Sequence, residues 1–135
     1  MDLKEFLNSK DVFAANAGCR LVDVMQGRAV AEMTVAAAHL NGGGVCQGGA
    51  LFTLADLAMA AVMNSGGQLT FGIQNSISFL RSAFAGDKLT AEAVEVHNHR
   101  KIPFIEVRVS NQHGELVCVV TGMGYRKNTP LPLEG

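Results

Sequence analysis

Apolar and polar residues alternate with a period of two along much of the chain, a pattern typical of half-buried β-strands. Two strands are predicted between residues 20 and 36, with a turn near Gln26–Gly27–Arg28. The second strand would present one apolar face, formed by Ala29, Ala31, Met33 and Val35.

Four further strands are predicted after residue 67. Their segments are LTFGIQNSISFLR, DKLTAEAVEVHNH, IPFIEVRVSN and ELVCVVTGMGYR, the last two joined by a hairpin turn at Gln112–His113–Gly114. Strict alternation in the first segment would place four large apolar residues on one face: Phe71, Ile73, Ile77 and Phe79. Residues 127–135 are expected to form a loose tail.

One long segment does not alternate. Residues 50–64 are rich in the strong helix formers Ala, Leu and Met and are apolar on nearly all sides, which predicts a buried helix. Residues 1–16 are expected to form an N-terminal helical segment. This order of elements predicts a single α+β domain over residues 1–135, with an antiparallel sheet wrapped around the long helix. A second copy of the chain would cover the rest of that helix, so we expect a homo-oligomer.

Composition narrows the function classes. The chain has 135 residues, of which 48% are hydrophobic, and a formal net charge of −1, so we expect one folded domain and no general nucleic-acid binding. No apolar run is long enough to predict a membrane span, and the N-terminus lacks a signal-peptide core. Three cysteines without a CxxC motif indicate free thiols in a reducing cytoplasm.

The main candidate for chemistry is Asp56, the only charged residue between Met33 and Leu80. Burying an unpaired carboxylate costs several kcal/mol. Three structural explanations stay open: pairing with a distant cation such as Arg81, capping of backbone N–H groups in a neighbouring loop, or a narrow exposed stripe. The functional alternative is a carboxylate whose acidity is shifted by desolvation.

A glycine-rich loop precedes the long helix. Gly48 and Gly49 would let a ligand approach the backbone, and the first N–H groups of the helix could stabilise negative charge on a carbonyl oxygen. A plain tight turn is the simpler interpretation. Gly48 and Asp56 are separated by about 12 Å along a helix axis, so one carbonyl cannot reach both. A site that uses both would need two subunits with antiparallel helices.

The segment LNGGGVCQGGALFTLADLAMAAVMNS resembles the hotdog-fold acyl-CoA thioesterases of the phenylacetate-degradation type, which are 4-hydroxybenzoyl-CoA thioesterase-like. The matching positions are Asn41–Gly42, Gly48–Gly49 and Leu54–Ala55–Asp56. The later segment SISFLRSAFAGDKLTAEA is similar to the third and fourth strands of that family. The resemblance extends from about residue 15 to residue 126.

The resemblance implies a dimer with a continuous sheet, often paired into a homotetramer, and active sites at the subunit interface. It implies hydrolysis of an aryl-acyl or medium-chain acyl-CoA without a metal or cofactor. Asp56 would attack the thioester or activate water, and these roles are not distinguished. The N–H of Gly48 of the partner subunit would polarise the thioester carbonyl, and Asn41 would help to position the water or the carboxylate.

Two positions depart from the family pattern. Gln47 replaces the usual His and is counted among the candidate catalytic residues. Its amide can still donate a hydrogen bond to a carbonyl oxygen but cannot titrate near neutral pH. The usual Ser or Thr at the start of the third strand is absent or replaced by Thr70. An acyl-CoA-binding protein without turnover is therefore the second hypothesis. A hotdog enoyl-CoA hydratase or dehydratase is the third, although its Asp–His pair would have to use His39.

Further residues are candidates for substrate contacts. We expect Gly49, Phe52, Met59 and Thr70 to contact the acyl part, and Arg81, Arg100 and Lys101 to bind CoA phosphates. The latter two could equally belong to an ordinary solvated hairpin end. His97 and His99 share a strand face but have no third metal ligand nearby, and Cys46 has no adjacent base.

Overall fold

The computed structural model describes residues 1–134. Two short helices, α1 (Leu3–Lys10) and α2 (Val12–Asn16), precede strands β1 (Arg20–Met25) and β2 (Arg28–Thr34). A 3-10 turn (Ala37–His39) and the glycine-rich loop lead into the long helix α3 (Gly48–Asn64). The remaining strands are β3 (Gln68–Phe79), β4 (Lys88–His97), β5 (Phe104–Ser110) and β6 (Leu116–Pro130).

The six strands form one antiparallel sheet in the order β1-β2-β4-β5-β6-β3. One face of this sheet packs against α3, which contacts every strand. Leu54 and Leu57 of the helix and Leu21 and Val107 of the strands are all buried in one apolar core. The structure therefore confirms the predicted α+β architecture, with one long helix packed against one antiparallel sheet.

Helix α3 is buried on most sides, as its composition predicts, but one stripe stays open. Gly49 and Asp56 are exposed. Thr53, which lies between them in sequence, and Ala60, which follows Asp56 by one turn, are half-buried. Residues three or four apart lie on one face of a helix, so these four positions form a continuous stripe. In a single chain this side of α3 is not covered.

Strand β3 is an edge strand with an unusually apolar surface. It pairs only with β6, so the backbone groups of its other edge have no strand partner within the described residues. Phe71, Ile73 and Phe79 are each more than half exposed. An open apolar edge of this kind is suited to pairing with another chain.

The alternation within β3 is broken by a β-bulge. Between Gly72 and Gln74 the pairing with β6 shifts, so Ile73 is an extra residue in the strand. After the bulge, Ile77 lies opposite a buried residue of β6, whereas Phe71 lies opposite an exposed one. Because opposed residues point to the same side of a sheet, these two side chains occupy opposite faces. The prediction of one shared face was wrong for the set Phe71, Ile73, Ile77 and Phe79.

Two predicted boundaries also need correction. Strand β6 continues through Pro130, which lies opposite Gln68, so the expected loose tail is wrong for residues 127–130. Helix α3 begins at Gly48, two residues before the predicted start. Within residues 1–134, none of the helices has the length and hydropathy that a membrane crossing requires.

Candidate active site

The N-terminus of α3 opens into a cavity of about 440 Å³. Gly48 lines this cavity together with Asn41, Phe79 and Arg81. The N–H of Gly48 is the first of the helix, so no carbonyl one turn earlier can accept its hydrogen bond. A Cβ at this position would lie 2.7 Å from Cζ of Phe79, so glycine keeps the approach to this N–H open.

The side chain of Gln47 caps the same helix end. Its Oε1 accepts a hydrogen bond from the N–H of Gly49 at 3.0 Å. Gly49 faces a second cavity of about 500 Å³, which is also lined by Phe13 and Thr53. The two adjacent glycines therefore face different cavities, and the N–H of Gly48 is the one left available to a ligand.

Asn41 holds the glycine-rich loop in place. Its Oδ1 accepts hydrogen bonds from the N–H groups of Gly43 at 2.9 Å and Val45 at 3.2 Å. With the acceptor occupied, the amide N–H groups of Asn41 remain as donors. Asn41 lines both cavities, so the structure brings it together with Gly48 within one chain.

Asp56 lies in the middle of the open stripe of α3. Among the described residues it forms no salt bridge, which argues against its pairing with Arg81; that guanidinium instead lies 3.2 Å from Glu115. The carboxylate is open to solvent in one chain, but the apolar residues around its base desolvate it and raise its pKa. The negative charge of Asp11 raises that pKa further.

One chain does not bring Asp56 and Gly48 together. Both belong to α3, and eight residues of helix separate them by about 12 Å along the axis. The exposed-stripe explanation for the lone carboxylate fits the single chain, yet this stripe is the side of α3 that lacks a covering element.

The predicted acyl contacts differ in accessibility. Phe52 is half-buried against the core, and Met59 is buried beside Gly122 of β6. Thr70 is only 4% exposed, and its hydroxyl donates to the carbonyl of Gln68 at 3.1 Å. In a single chain, the Thr70 side chain is therefore buried and its hydroxyl hydrogen is already donated to the backbone.

The predicted phosphate ligands separate into two groups. Arg81 lies in the Gly48 cavity. Arg100 and Lys101 line a different cavity with Arg126 and Lys127, beside the end of β6 that pairs with the start of β3. This end of the sheet lies near the C-terminus of α3, so in one chain these cations are remote from Gly48.

The histidine and cysteine candidates have structural surroundings. Nδ1 of His99 accepts hydrogen bonds at 3.0 Å from the N–H groups of Lys101 and Ile102, and residues 1–134 contain no group of three metal-ligating side chains. Cys46 lines the Gly48 cavity but is buried, and burial raises the pKa of its thiol. A thiol held in its protonated form is a poor nucleophile.

Sequence periodicity overlooked Asn75. The bulge in β3 turns Asn75 toward the helix-facing side of the sheet, opposite Gly122. Because of the bulge it shares that side with Ile77 and not with Phe71, and no motif marks it. The signal that could have found it is the glycine in β6, which leaves space for a side chain from the neighbouring strand.

Known proteins are similar to this chain in sequence and in fold. The Thioesterase superfamily profile matches residues 43–118. A putative esterase of Archaeoglobus fulgidus is 36% identical over 130 residues, covering 96% of this chain and 84% of its own length. The Escherichia coli acyl-coenzyme A thioesterase PaaI is 38% identical over 116 residues, covering 86% and 83% respectively.

Solved structures agree with these matches. The structure of the E. coli PaaI protein, from the phenylacetic acid degradation operon, has a TM-score of 0.88 at 33% identity and covers 96% of this chain and 99% of that one. A hypothetical thioesterase from Streptococcus pneumoniae, solved with coenzyme A, has a TM-score of 0.79 at 29% identity and covers 84% and 91%.

Proposed function

The chain belongs to the thioesterase superfamily and is a hotdog-fold acyl-CoA thioester hydrolase of the phenylacetate-degradation type; we propose that it hydrolyses an aryl-acyl or medium-chain acyl-CoA, with Asp56 as nucleophile or general base. The observation that carries this proposal is the pair of incomplete half-sites along α3. One half holds Gly48 and Asn41 at the helix N-terminus, and the other holds Asp56 on the open stripe.

A second copy of the chain would complete the site. Two α3 helices packed antiparallel along their open stripes would bring Asp56 of one chain to Gly48 of the partner subunit. The apolar open edge of β3 supports the same arrangement, because pairing of two β3 edges would continue the sheet across the dimer. We propose this homodimer as the catalytic unit and its pairing into a homotetramer as the full assembly.

The chemistry follows from these groups. The N–H of Gly48 would donate to the thioester oxygen as it gains negative charge. If Asp56 is the base, it takes a proton from water, the water oxygen bonds to the carbonyl carbon, and the carbon–sulfur bond breaks to release CoA. If Asp56 is the nucleophile, its oxygen bonds to the carbonyl carbon and the carbon–sulfur bond breaks to release CoA. Water then cleaves the resulting anhydride to the free acid and the Asp56 carboxylate. Either path requires an ionised carboxylate.

Two neighbouring amides would support this step. Asn41 has free amide donors beside Gly48, so it would orient the water or the carboxylate of the partner subunit. Gln47 would act indirectly, since its side-chain oxygen caps Gly49 and fixes the first turn of α3. Gly49, Phe52 and Met59 would border the acyl group from the helix side.

The CoA phosphates would bind to exposed cations around this site. Arg81 lies in the Gly48 cavity and is half exposed despite its contact with Glu115. Arg100 and Lys101 lie near the C-terminus of α3, which an antiparallel arrangement would bring toward the N-terminus of the other α3. These two residues would thus serve the site of the opposite chain.

Localisation in the cytoplasm is part of the proposal. Cys19, Cys46 and Cys118 are all buried free thiols, which suits a reducing compartment.

The alternative as a hydratase or dehydratase has less support. Nδ1 of His39 accepts from the N–H of Ala36 at 2.9 Å, and Nε2 lies 2.6 Å from the carbonyl oxygen of Ala17. With both ring nitrogens occupied, His39 is a structural link between the loop and α2 and has no free atom for acid–base work.

Release of CoA tests the proposal. Wild-type protein and Asp56→Ala are assayed on aromatic, short-chain and medium-chain acyl-CoAs. We expect turnover by the wild type and a loss of about 100-fold or more in the variant, the scale of a positioned base. Binding of acyl-CoA without CoA release by the wild type would instead support the non-catalytic binding protein.

A further inference from the structure

We infer that Asn75 is a further catalytic residue, whose carboxamide holds the attacking water beside Asp56. This inference rests on the proposed hydrolysis and adds to it a group on β3. It starts from the β-bulge at Ile73, which sets Asn75 opposite Gly122 on the side of the sheet that faces α3.

The carboxamide occupies a niche that the surrounding glycines create. A Cβ on Gly122 would overlap Oδ1 of Asn75 and would lie 2.5 Å from Sδ of Met59. A Cβ on Gly72 would lie 3.8 Å from Nδ2 of Asn75. The side chain of Asn75 therefore extends across β6 toward the helix, and only glycine at position 122 leaves space for it.

This niche lies at the level of Asp56. Met59 follows Asp56 by three residues, and the Cβ atoms of such neighbours are about 5–6 Å apart on a helix. Long side chains on a helix point back toward its N-terminus, so the sulfur of Met59 covers the turn that carries Asp56. The carboxamide oxygen of Asn75 and this sulfur both lie within 2.5 Å of the position that a Cβ on Gly122 would take. The two groups are therefore neighbours, and we infer that the carboxamide borders the open stripe from the β3 side.

Asn75 also has the right chemistry and exposure. It is exposed, so water and substrate can reach its amide. Other polar groups of this region are committed: both ends of the Asn64 carboxamide bond to the backbone, and the Thr70 hydroxyl donates to Gln68. A carboxamide can accept one hydrogen of a water molecule while a carboxylate accepts the other. Asn75 and Asp56 would thereby aim the water oxygen at the carbonyl carbon.

The test compares Asn75→Ala with Gln74→Ala, a matched loss of a carboxamide from the adjacent position. Wild type and variants are assayed for kcat, KM and the ratio of hydroxamate to acid when hydroxylamine competes with water. For Asn75→Ala we expect kcat to fall about 10-fold or more while KM changes by less than about 2-fold. After subtraction of the uncatalysed reaction between hydroxylamine and the thioester, the hydroxamate ratio should rise, because the amide would hold water and not hydroxylamine. Gln74→Ala should match the wild type.

A second variant distinguishes the loss of the amide from a loss of folding. Valine has a high β-propensity and lacks the amide, so Asn75→Val should show the same loss of kcat and the same rise in the hydroxamate ratio as Asn75→Ala. Adding Gly72→Ser to Asn75→Ala should recover part of kcat, since the serine side chain would enter the space beside the missing amide. Unchanged kcat and product ratio in either folded variant would overturn the inference. A wild type that hydrolyses no acyl-CoA would overturn the proposed function itself.

Discussion

The side-chain Oε1 of Gln47 accepts a 3.0 Å hydrogen bond from the backbone N–H of Gly49 at the first turn of α3. This contact explains how the chain accommodates glutamine where similar enzymes have histidine. The amide caps the helix without occupying the N–H of Gly48 one residue earlier. Gln47 is thus a helix cap that leaves the N–H of Gly48 free to donate.

Removing this cap should weaken the first turn of α3. Gln47→Ala leaves the N–H of Gly49 without its partner, and the loss of an N-cap side chain costs about 1 kcal/mol. We expect a fall in Tm and a lower kcat, since the position of the Gly48 donor depends on this turn. Thermal unfolding and CoA release would be measured beside Gln26→Ala, which removes an exposed glutamine from the β1–β2 turn and should change neither.

The ionised carboxylate of Asp56 should lower the free energy of unfolding, although activity requires it. Desolvation raises its folded pKa above the ordinary 3.8, so the folded state is favoured while the group is protonated. The contribution of Asp56 to stability is therefore fully present below its ordinary pKa of 3.8 and is lost as pH rises through the raised pKa. Asp56→Asn carries no charge that burial could penalise, so we expect its Tm at neutral pH to exceed that of the wild type.

The comparison of Asp56→Asn with the wild type needs two pH values. Below 3.8 both proteins carry an uncharged group at this position, so the Tm difference should vanish. A Tm difference of the same size at both pH values would show that the effect is not electrostatic. Activity of Asp56→Asn should be lost at every pH.

The acid limb of the pH–rate profile should respond to Asp11. Its negative charge raises the pKa of Asp56, so Asp11→Asn should lower that pKa and shift the acid limb of kcat to lower pH. Asparagine can still accept the hydrogen bond that Asp11 takes from the N–H of Ala14, so helix α2 should keep its N-cap.

Asp2→Asn is the matched control for Asp11→Asn. Asp2 caps α1 through the N–H of Glu5 in the same way, but it does not contribute to the pKa of Asp56. Its pH–rate profile should overlay that of the wild type. An acid limb that moves equally in both variants would contradict the assigned role of Asp11.

The sequence predicts the architecture well because the architecture depends on repeated patterns. The alternation in β2 and the apolar helix α3 are each decided by many residues at once. The errors occur where one residue decides the outcome. A single extra residue, Ile73, reverses the faces of β3, so that Phe71 lies on the side away from the helix while Asn75 and Ile77 lie on the helix side. Pairing with β3 likewise extends β6 to Pro130, and this long-range contact leaves no local signal.

The candidate site was only half predictable for a similar reason. Asn41 and Gly48 are close in sequence and share one cavity. Thr70 and Arg81 are both at strand ends, yet one is buried against Asn64 and the other is open to the Gly48 cavity. Whether such a residue is buried or exposed depends on side-chain hydrogen bonds to distant backbone groups, and the periodicity of the sequence contains no information about those bonds.

Mixed dimers should show whether one site uses two chains. Asn41→Ala impairs the half-site at Gly48, and Asp56→Asn removes the carboxylate, so each variant alone should be inactive. In a dimer that contains one chain of each kind, one interfacial site has both intact residues and the other has neither. Random mixing makes about half of all dimers mixed, so activity should return to about one quarter of the wild-type value.

The control for the mixing experiment is one variant refolded alone. The two variants are unfolded together, refolded, and assayed for CoA release, beside Asp56→Asn refolded alone. Recovery that requires both variants would support a site shared between antiparallel α3 helices. If the mixture is no more active than its parents although mixed dimers are detected by differential tags, then Asp56 and Gly48 do not act across the interface. On one helix these two residues are separated by about 12 Å, which one thioester carbonyl cannot span, so they could not then act on the same carbonyl.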